Sequence, residues 1–267
     1  MYVMDKRLEK LEEKNFVIQG DNLSVLKKIP SNSIDLVYID PPFNTGKTQK
    51  RNNREGEYAD SFEDFLGFIK PRLLEAHRVL RDNGSLYFHI DYREVHYCKV
   101  LLDQIFGREN FMNEIIWSYD YGARSKKRWS AKHDNILFYV KNNKDYVWNY
   151  DAMDRIPYMA PGLVGPEKAA RGKTPTDVWW QTIVPTNGKE KTGYPTQKPL
   201  PILKRIIKVS CPQNGVVLDF FAGSGTTGDA AIQEGRNFIL VDQNPQAIQT
   251  MKKRFLNMEN VDYSEDS

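Results

Sequence analysis

A short apolar run that ends abruptly in an acid and two prolines constrains the fold more than any other stretch. The run covers residues 33–39, and Asp40-Pro41-Pro42-Phe43 follows it directly. Apolar, β-branched and aromatic residues in such a run are typical of a buried strand. Two consecutive prolines fix the backbone φ angle and remove two N–H donors. The sequence therefore predicts a buried strand that opens onto a stiff loop, which presents one carboxylate, free carbonyl groups and one aromatic ring. A plain strand-ending turn is the simpler alternative, since Asp-Pro is common in turns.

Six further apolar runs alternate with helical patterns. We predict strands near residues 15–19, 85–90, 113–117, 135–140, 216–219 and 237–241. Seven strands that alternate with helices indicate an α/β fold with a mostly parallel, doubly wound sheet. Residues 141–193 lose this periodicity and contain three tryptophans with several prolines and glycines. We therefore predict one domain, residues 1–267, that carries an inserted segment at about 141–193.

Composition narrows the class of protein. The chain has 267 residues, of which 40% are hydrophobic and 27% charged, as is ordinary for a soluble globular protein with a full core. No apolar run approaches the roughly 20 residues that span a bilayer, and the charged N-terminus does not resemble a signal peptide. The two cysteines, Cys98 and Cys211, lie far apart, which favours a reducing cytoplasm and gives no metal-ligand spacing.

A second motif places an acid and two glycines between a predicted strand and a predicted helix. It is Asp219-Phe220-Phe221-Ala222-Gly223-Ser224-Gly225-Thr226. Glycines let the backbone approach a ligand closely, but no P-loop lysine follows, and the acid would repel phosphate and attract an ammonium group. Asp242 ends the next strand, where an acid can accept both hydroxyls of a ribose. The spacing predicts a nucleoside-type cofactor, and a strand-to-helix turn with Asp242 as a helix cap is the simpler alternative.

With these two motifs in this order, the chain resembles the DNA amino-methyltransferases that use S-adenosylmethionine. That family places Asp-Pro-Pro-Tyr or Asp-Pro-Pro-Phe at the catalytic strand end and Phe-x-Gly-x-Gly at the cofactor turn, here residues 40–43 and 221–225. The catalytic motif comes first, which resembles the β group and, with Asn44-Thr45-Gly46, the small relatives of type III modification subunits. The resemblance implies a Rossmann-like methyltransferase fold in which segment 141–193 recognises the target.

The resemblance also implies a role for each candidate residue. The catalytic residues are expected to be Asp40, Pro41, Pro42 and Phe43, with the Asp40 carboxylate and the Pro41 carbonyl accepting the N–H groups of adenine N6 and Phe43 stacking on the extruded base. The residues expected to bind S-adenosylmethionine are Asp21, Thr196, Lys198, Asp219, Phe220, Ala222, Gly223, Ser224, Gly225, Thr226 and Asp242. The strand that begins His133-Asp134 is expected to be mainly structural. The histidines at positions 77, 89 and 96 fall on core elements and are also expected to be structural.

Two basic loops are the predicted DNA contacts, although the net charge of the chain is only +3. The first holds Lys47, Lys50, Arg51 and Arg54, and the second holds Arg124, Lys126, Lys127 and Arg128. Lysine and arginine hold the phosphates that position a protein on DNA. A solvated charged loop is the alternative for each of these residues.

Three functions are open at this point. The first is methylation of adenine N6 in duplex DNA, and the second is methylation of cytosine N4, because both exocyclic amines need the same acceptors. Aspartate at position 40 favours adenine, since the cytosine enzymes usually carry serine there. The third is a non-catalytic DNA-binding module on the same fold. The expected partners are double-stranded DNA and a second copy in a homodimer, and the sequence leaves open the recognised site and any cognate restriction endonuclease.

Overall fold

The computed structural model describes residues 11, 13–44, 47–49, 58–60, 62–122, 124–184, 192–194 and 197–266. The strands are β1 (Asn15–Gln19), β2 (Ile34–Ile39), β3 (Lys47–Gln49), β4 (Tyr58–Asp60), β5 (Leu80–Ile90), β6 (Phe111–Ser118), β7 (His133–Val140), β8 (Val178–Trp180), β9 (Val216–Asp219), β10 (Asn237–Asp242) and β11 (Val261–Glu265). The α-helices are α1 (Asn22–Lys28), α2 (Phe65–Val79), α3 (Val95–Phe106), α4 (Pro166–Arg171), α5 (Leu200–Ser210), α6 (Thr226–Gln233) and α7 (Pro245–Arg254).

Nine strands form one sheet in the order β11-β1-β10-β9-β2-β5-β7-β6-β8, and β3 pairs with β4 in a separate antiparallel ribbon. The sheet is parallel except for β7, which runs antiparallel to its neighbours β5 and β6. From β2 the chain proceeds to β5 on one side, and from β9 it proceeds to β10 on the other. The strand order therefore reverses between β9 and β2, and such a switch point is where open α/β sheets bind their ligands.

Alternate residues of the strands face two separate hydrophobic cores. In β2, Val37 and Ile39 pack in the core formed with α1, α2 and α3. Leu36 and Tyr38 of the same strand pack in the core formed with α5, α6 and α7. Because side chains alternate along a strand, an uninterrupted apolar run is what a strand with helices on both faces requires. The α/β, doubly wound prediction is confirmed.

The predicted count of seven strands in the sheet is two short, because the sheet contains nine. The two strands not predicted, β8 and β11, are its edges. β8 has only three residues, with Val178 and Trp180 exposed, and none of the five residues of β11 is buried. An edge strand needs little burial, so it leaves a weak apolar signal in sequence. β8 also joins residues 178–180 of the predicted inserted segment to the main sheet.

No α-helix in the described ranges combines the length and the hydrophobicity that crossing a membrane requires. Cys98 and Cys211 are buried and not joined in a disulfide.

Candidate active site

Four acidic residues lie at the carboxyl edge of the sheet. Asp242 and Asp219 end β10 and β9, Asp40 directly follows β2, and Asp21 follows β1 by two residues. These four strands are neighbours in the order β1-β10-β9-β2, so their carboxyl ends lie side by side. Asp40, Asp219 and Asp242 line one cavity of about 560 Å³ at the switch point. The structure thus brings the two sequence motifs together although about 180 residues separate them.

Asp40 has one oxygen engaged and one available. Its Oδ2 accepts a hydrogen bond from Nζ of Lys198. Its Oδ1 is buried and has no hydrogen-bond partner among the described residues, with Nδ1 of His89 at 3.6 Å. Leaving a buried acceptor unpaired costs about 1–3 kcal/mol. Oδ1 is therefore positioned to accept an N–H group from a ligand in the cavity.

The rest of the Asp40 loop forms one wall of the cavity. Pro41, Pro42 and Phe43 all line it, and the Phe43 ring lies 5.7 Å from the His89 ring between centroids. Asn44 ends the loop in the left-handed region at φ 53°. Its side chain donates to Oε1 of Glu94 and accepts from the backbone N–H of Phe62, both at 2.9 Å. These contacts hold the C-terminal end of the loop and keep the Phe43 ring beside His89.

A buried chain of polar groups lies behind Asp40. His89 is fully buried on β5, with Nε2 3.1 Å from Oδ2 of Asp134 and Nδ1 2.8 Å from the Tyr38 hydroxyl. The Tyr119 hydroxyl donates to the other oxygen of Asp134 at 3.0 Å. Burial raises the pKa of Asp134, but the hydrogen bonds from His89 and Tyr119 and the charge of Lys198 outweigh it, so the pKa is lowered overall. An ionised Asp134 favours the tautomer of His89 that carries its proton on Nε2. The structure thus places His89 beside Asp40 and Asp134 directly behind His89, although both side chains were expected to be structural.

The glycine turn after β9 is closely packed against its surroundings. Gly223 and Gly225 have φ angles of +50° and +75°, which favour glycine. Asp242 holds the turn, because its Oδ2 accepts from the N–H of Gly223 and its Oδ1 from that of Asn244, both at 2.8 Å. A Cβ at Gly223 would lie 3.2 Å from the Tyr194 ring, which lines the same cavity. Backbone and aromatic ring therefore form one side of the cavity together.

Burial and neighbouring acids disfavour the negative charge of Asp219. The pKa of Asp219 is raised to about 7, mainly by burial and further by the charges of Asp40 and Asp242, while hydrogen bonds from the Thr227 hydroxyl and the Phe221 N–H oppose the rise. Burial raises the pKa of Asp242 as well. A cationic ligand in the cavity would relieve this repulsion. No group of three or more potential metal ligands occurs in the part of the chain that the structure describes.

Arg72 of α2 lines the cavity and was not predicted from the sequence. Its Nε donates to Oδ1 of Asn22 at 2.5 Å, and its Nη2 lies 3.1 Å from Oδ2 of Asp21. Asn22 in turn donates to the carbonyl of Phe220 at 2.8 Å. Asp21 itself caps α1 by accepting from the N–H of Ser24 and is not among the lining residues. Arg72 and Asn22 thus connect the turn after β1 to the turn after β9.

The other predicted site residues divide into three groups. Phe220, Ala222, Ser224 and Thr226 line the cavity, and so does Lys198, which contacts Asp40. Gly225, also predicted to bind the cofactor, is not among the lining residues and packs against Met251 instead. The predicted DNA contacts Arg124, Lys126, Lys127 and Arg128 are exposed on the loop between β6 and β7. Lys47 begins β3, and Lys50, Arg51, Arg54 and Thr196 lie outside the described residues.

Comparison with known proteins identifies the family. The family model N6_N4_Mtase, described as DNA methylase, matches residues 34–253. The chain belongs to this DNA methylase family. The match spans both the Asp40 loop and the glycine turn, so the family predicted from the sequence is confirmed.

The methylase is similar over most of its length to curated proteins. It is 34% identical to the DNA adenine methyltransferase YhdJ of Escherichia coli K12, over 91% of this chain and 83% of that protein. It is 32% identical to the type II methyltransferase M.HpaI of Haemophilus parainfluenzae, over 94% of this chain and 74% of that protein. Its fold matches the crystal structure of the M1.HpyAVI–SAM complex with a TM-score of 0.64 at 23% identity, over 91% of this chain and 98% of that one.

Replacing Gly225 by alanine is expected to lower the free energy of unfolding of the methylase by about 1–3 kcal/mol. The φ angle of +75° strains any other residue, and the added Cβ would lie 2.6 Å from Cγ of the buried Met251. Chemical denaturation measures the loss. Gly162→Ala is the matched control, because nothing lies within 4 Å of its Cβ position. Equal stability of the two variants would show that the turn tolerates a side chain.

Proposed function

We propose that this methylase transfers a methyl group from S-adenosylmethionine to N6 of an adenine extruded from duplex DNA. The observation that carries the proposal is the buried, unpaired Oδ1 of Asp40 in a cavity shared with the glycine turn. The relative that is 34% identical is named a DNA adenine methyltransferase, which supports adenine as the target.

The cavity suits S-adenosylmethionine in shape and charge. Asp242 lies at the end of β10, where a carboxylate can accept the ribose hydroxyls, and Gly223 lines the cavity without a side chain, which lets the backbone come close to a ligand. Asp219 and Asp40 add negative charge that complements the cofactor's ammonium and sulfonium groups. When bound, the cofactor supplies an electrophilic methyl group.

The Asp40 loop would activate the target amine. The lone pair of adenine N6 is delocalised into the ring, and acceptors on its two N–H groups favour the pyramidal, nucleophilic form. Oδ1 of Asp40 and the carbonyl of Pro41 are the acceptors, while Lys198 orients the carboxylate through Oδ2. Oδ1 is also the nearest base for the proton that N6 loses as it gains the methyl group. Phe43 offers a face on which the extruded base stacks, an interaction worth about 1–3 kcal/mol.

The reaction product distinguishes the candidate functions. The purified protein is incubated with unmethylated DNA and S-adenosylmethionine that carries a labelled methyl group, and the DNA is then digested to nucleosides. We expect the label in N6-methyldeoxyadenosine. Label in N4-methyldeoxycytidine would instead establish the cytosine alternative. Cofactor binding without transfer to any DNA would indicate the non-catalytic module.

Three finer assignments accompany this proposal. We propose that segment 141–193 reads the target sequence, supported by the position of β8 beside β6 at the sheet edge. We propose a cytoplasmic homodimer, supported by the exposed apolar side chains of Leu74, Tyr97 and Val100 on α2 and α3. Analytical ultracentrifugation tests the dimer. Whether a cognate restriction endonuclease accompanies the methylase is a question for its genomic neighbourhood.

The affinity for S-adenosylmethionine is expected to rise up to about tenfold between pH 6 and pH 8. Burial raises the pKa of Asp219 to about 7, so this side chain changes from neutral to ionised as the pH rises through that value. A cation binds the ionised form more tightly, and affinity therefore falls as the pH falls. Isothermal titration calorimetry measures the profile. The Asp219→Asn variant should lack this step, and identical profiles for the two proteins would contradict the assignment.

A further inference from the structure

Trp129 is almost completely exposed to solvent. Its relative accessibility is 98%, in the loop that joins β6 to β7. Tryptophan is a large amphipathic side chain that proteins usually keep mostly buried or place at interfaces. A rigid aromatic ring presented in this way indicates a contact with a partner.

The charges around Trp129 indicate the class of partner that it contacts. Lys126, Lys127 and Arg128 precede it and are all exposed. Asp120, an acid of the same loop, is paired with Arg124 at 2.7 Å, which leaves the loop positive overall. An aromatic ring among cations matches a polyanion that carries aromatic bases, so nucleic acid fits better than an apolar protein surface.

The loop lies at the edge of the sheet where the reaction occurs. β6 runs in the same direction as β5 and β2, so its carboxyl end at Ser118 lies on the same side as Asp40. The first residue of the loop, Tyr119, donates to Asp134, which contacts His89 beside Asp40. The base of the loop is therefore joined to the reaction centre by three side-chain contacts.

Hydrogen bonds within the loop fix how Trp129 is presented. The N–H of Ser125 donates to the hydroxyl of Ser130 at 2.7 Å, which closes a small turn that contains the tryptophan. Arg128 donates to the Tyr92 hydroxyl at 3.3 Å, and this contact ties the turn to the loop after β5. A backbone restrained in this way loses less entropy when the side chain that it carries binds a partner.

We propose that Trp129 inserts into the DNA duplex beside the target and stacks on the bases that the extruded adenine leaves unstacked. Extrusion costs pairing and stacking energy, and an inserted aromatic ring replaces part of the lost stacking. This inference rests on the proposed function, because only a base-extruding enzyme creates such a gap.

The test compares two duplexes with four proteins. One duplex carries the target site mapped by sequencing, and the other has an abasic position opposite the target adenine, which removes the pairing cost. The proteins are the wild type, Trp129→Ala, Trp129→Phe and the control Leu256→Ala, whose side chain is 80% exposed just after α7 at the opposite edge of the sheet.

On the paired duplex, Trp129→Ala should lose about tenfold to one-hundredfold in kcat/KM. On the abasic duplex its deficit should shrink to about threefold or less, Trp129→Phe should recover most of the rate, and the control should match the wild type. An unchanged rate on the paired duplex, an equal loss on both duplexes, or a loss that follows a change in sedimentation would overturn the inference. A wild type that methylates neither duplex is a different result, because it refutes the proposed function itself.

Discussion

Replacing Asp40 by alanine is expected to lower the rate of methyl transfer by about 10³-fold or more, while S-adenosylmethionine still binds. The variant removes the acceptor of the amine proton and leaves the cation of Lys198 without its partner in the cavity. Loss of a single preorganised electrostatic group costs about 10²–10³ in kcat in other enzymes, and this one would also accept the departing proton. The cofactor keeps Asp242 and the glycine turn, so its affinity should stay within about tenfold of the wild type. Single-turnover kinetics and calorimetry measure the two quantities separately.

Two further variants make the Asp40 result specific. Asp40→Asn keeps an oxygen that can accept a hydrogen bond but loses the charge, so it should retain more activity than the alanine variant. Asp82→Ala is the matched control, because the Asp82 side chain is 81% exposed and pairs only with Lys141 at 3.5 Å among the described residues. Turnover of Asp40→Ala at the rate of this control would remove Asp40 from the mechanism.

Replacing His89 by alanine is expected to reduce both stability and turnover. The variant leaves Oδ2 of the buried Asp134 without its hydrogen bond from His89, while Tyr119 still donates to Oδ1, and leaving a buried polar group unsatisfied in this way costs about 1–3 kcal/mol. The Phe43 ring and Oδ1 of Asp40 would also lose the side chain that fixes their positions. We therefore expect kcat to fall by about tenfold to one-hundredfold with little change in KM.

A second variant separates positioning from folding at His89. Asp134→Asn keeps an acceptor for Nε2 but removes the charge that orients the ring, so it should fold and still show a reduced kcat. His96→Ala is the control, because His96 is exposed on the neighbouring helix α3. A full wild-type kcat in both His89→Ala and Asp134→Asn would show that the buried chain serves the fold alone.

The local part of the site could be predicted from the sequence because it depends on short stretches. An apolar run followed by Asp40-Pro41-Pro42 predicts a buried strand with a stiff end. The glycine turn after Asp219 can likewise be predicted from a few consecutive residues. The structure then places both at the same cavity. The two edge strands could not be predicted, because β8 and β11 bury little apolar surface.

Side-chain contacts between residues far apart in the sequence could not be predicted, because they depend on the order of the strands in the sheet. His89 contacts Asp134 45 residues away and Tyr38 51 residues away, and both contacts follow from the order β2-β5-β7 in the sheet. Arg72 contacts Asn22 from helix α2, and the sequence pattern of that helix indicated its apolar face but not this contact. Lys198 was assigned to the cofactor by resemblance, and the structure pairs it with Asp40 across 158 residues. Strand order decides each of these contacts.

Sequencing of methylated DNA tests the central claim most directly. The gene is expressed in a host that lacks DNA methylation, and the genomic DNA is read by single-molecule sequencing beside DNA from a strain that expresses Asp40→Ala. We expect N6-methyladenine at one recurrent sequence with the wild type and none with the variant. N4-methylcytosine at the recurrent sequence, or adenine methylation that persists in the Asp40→Ala strain, would contradict it.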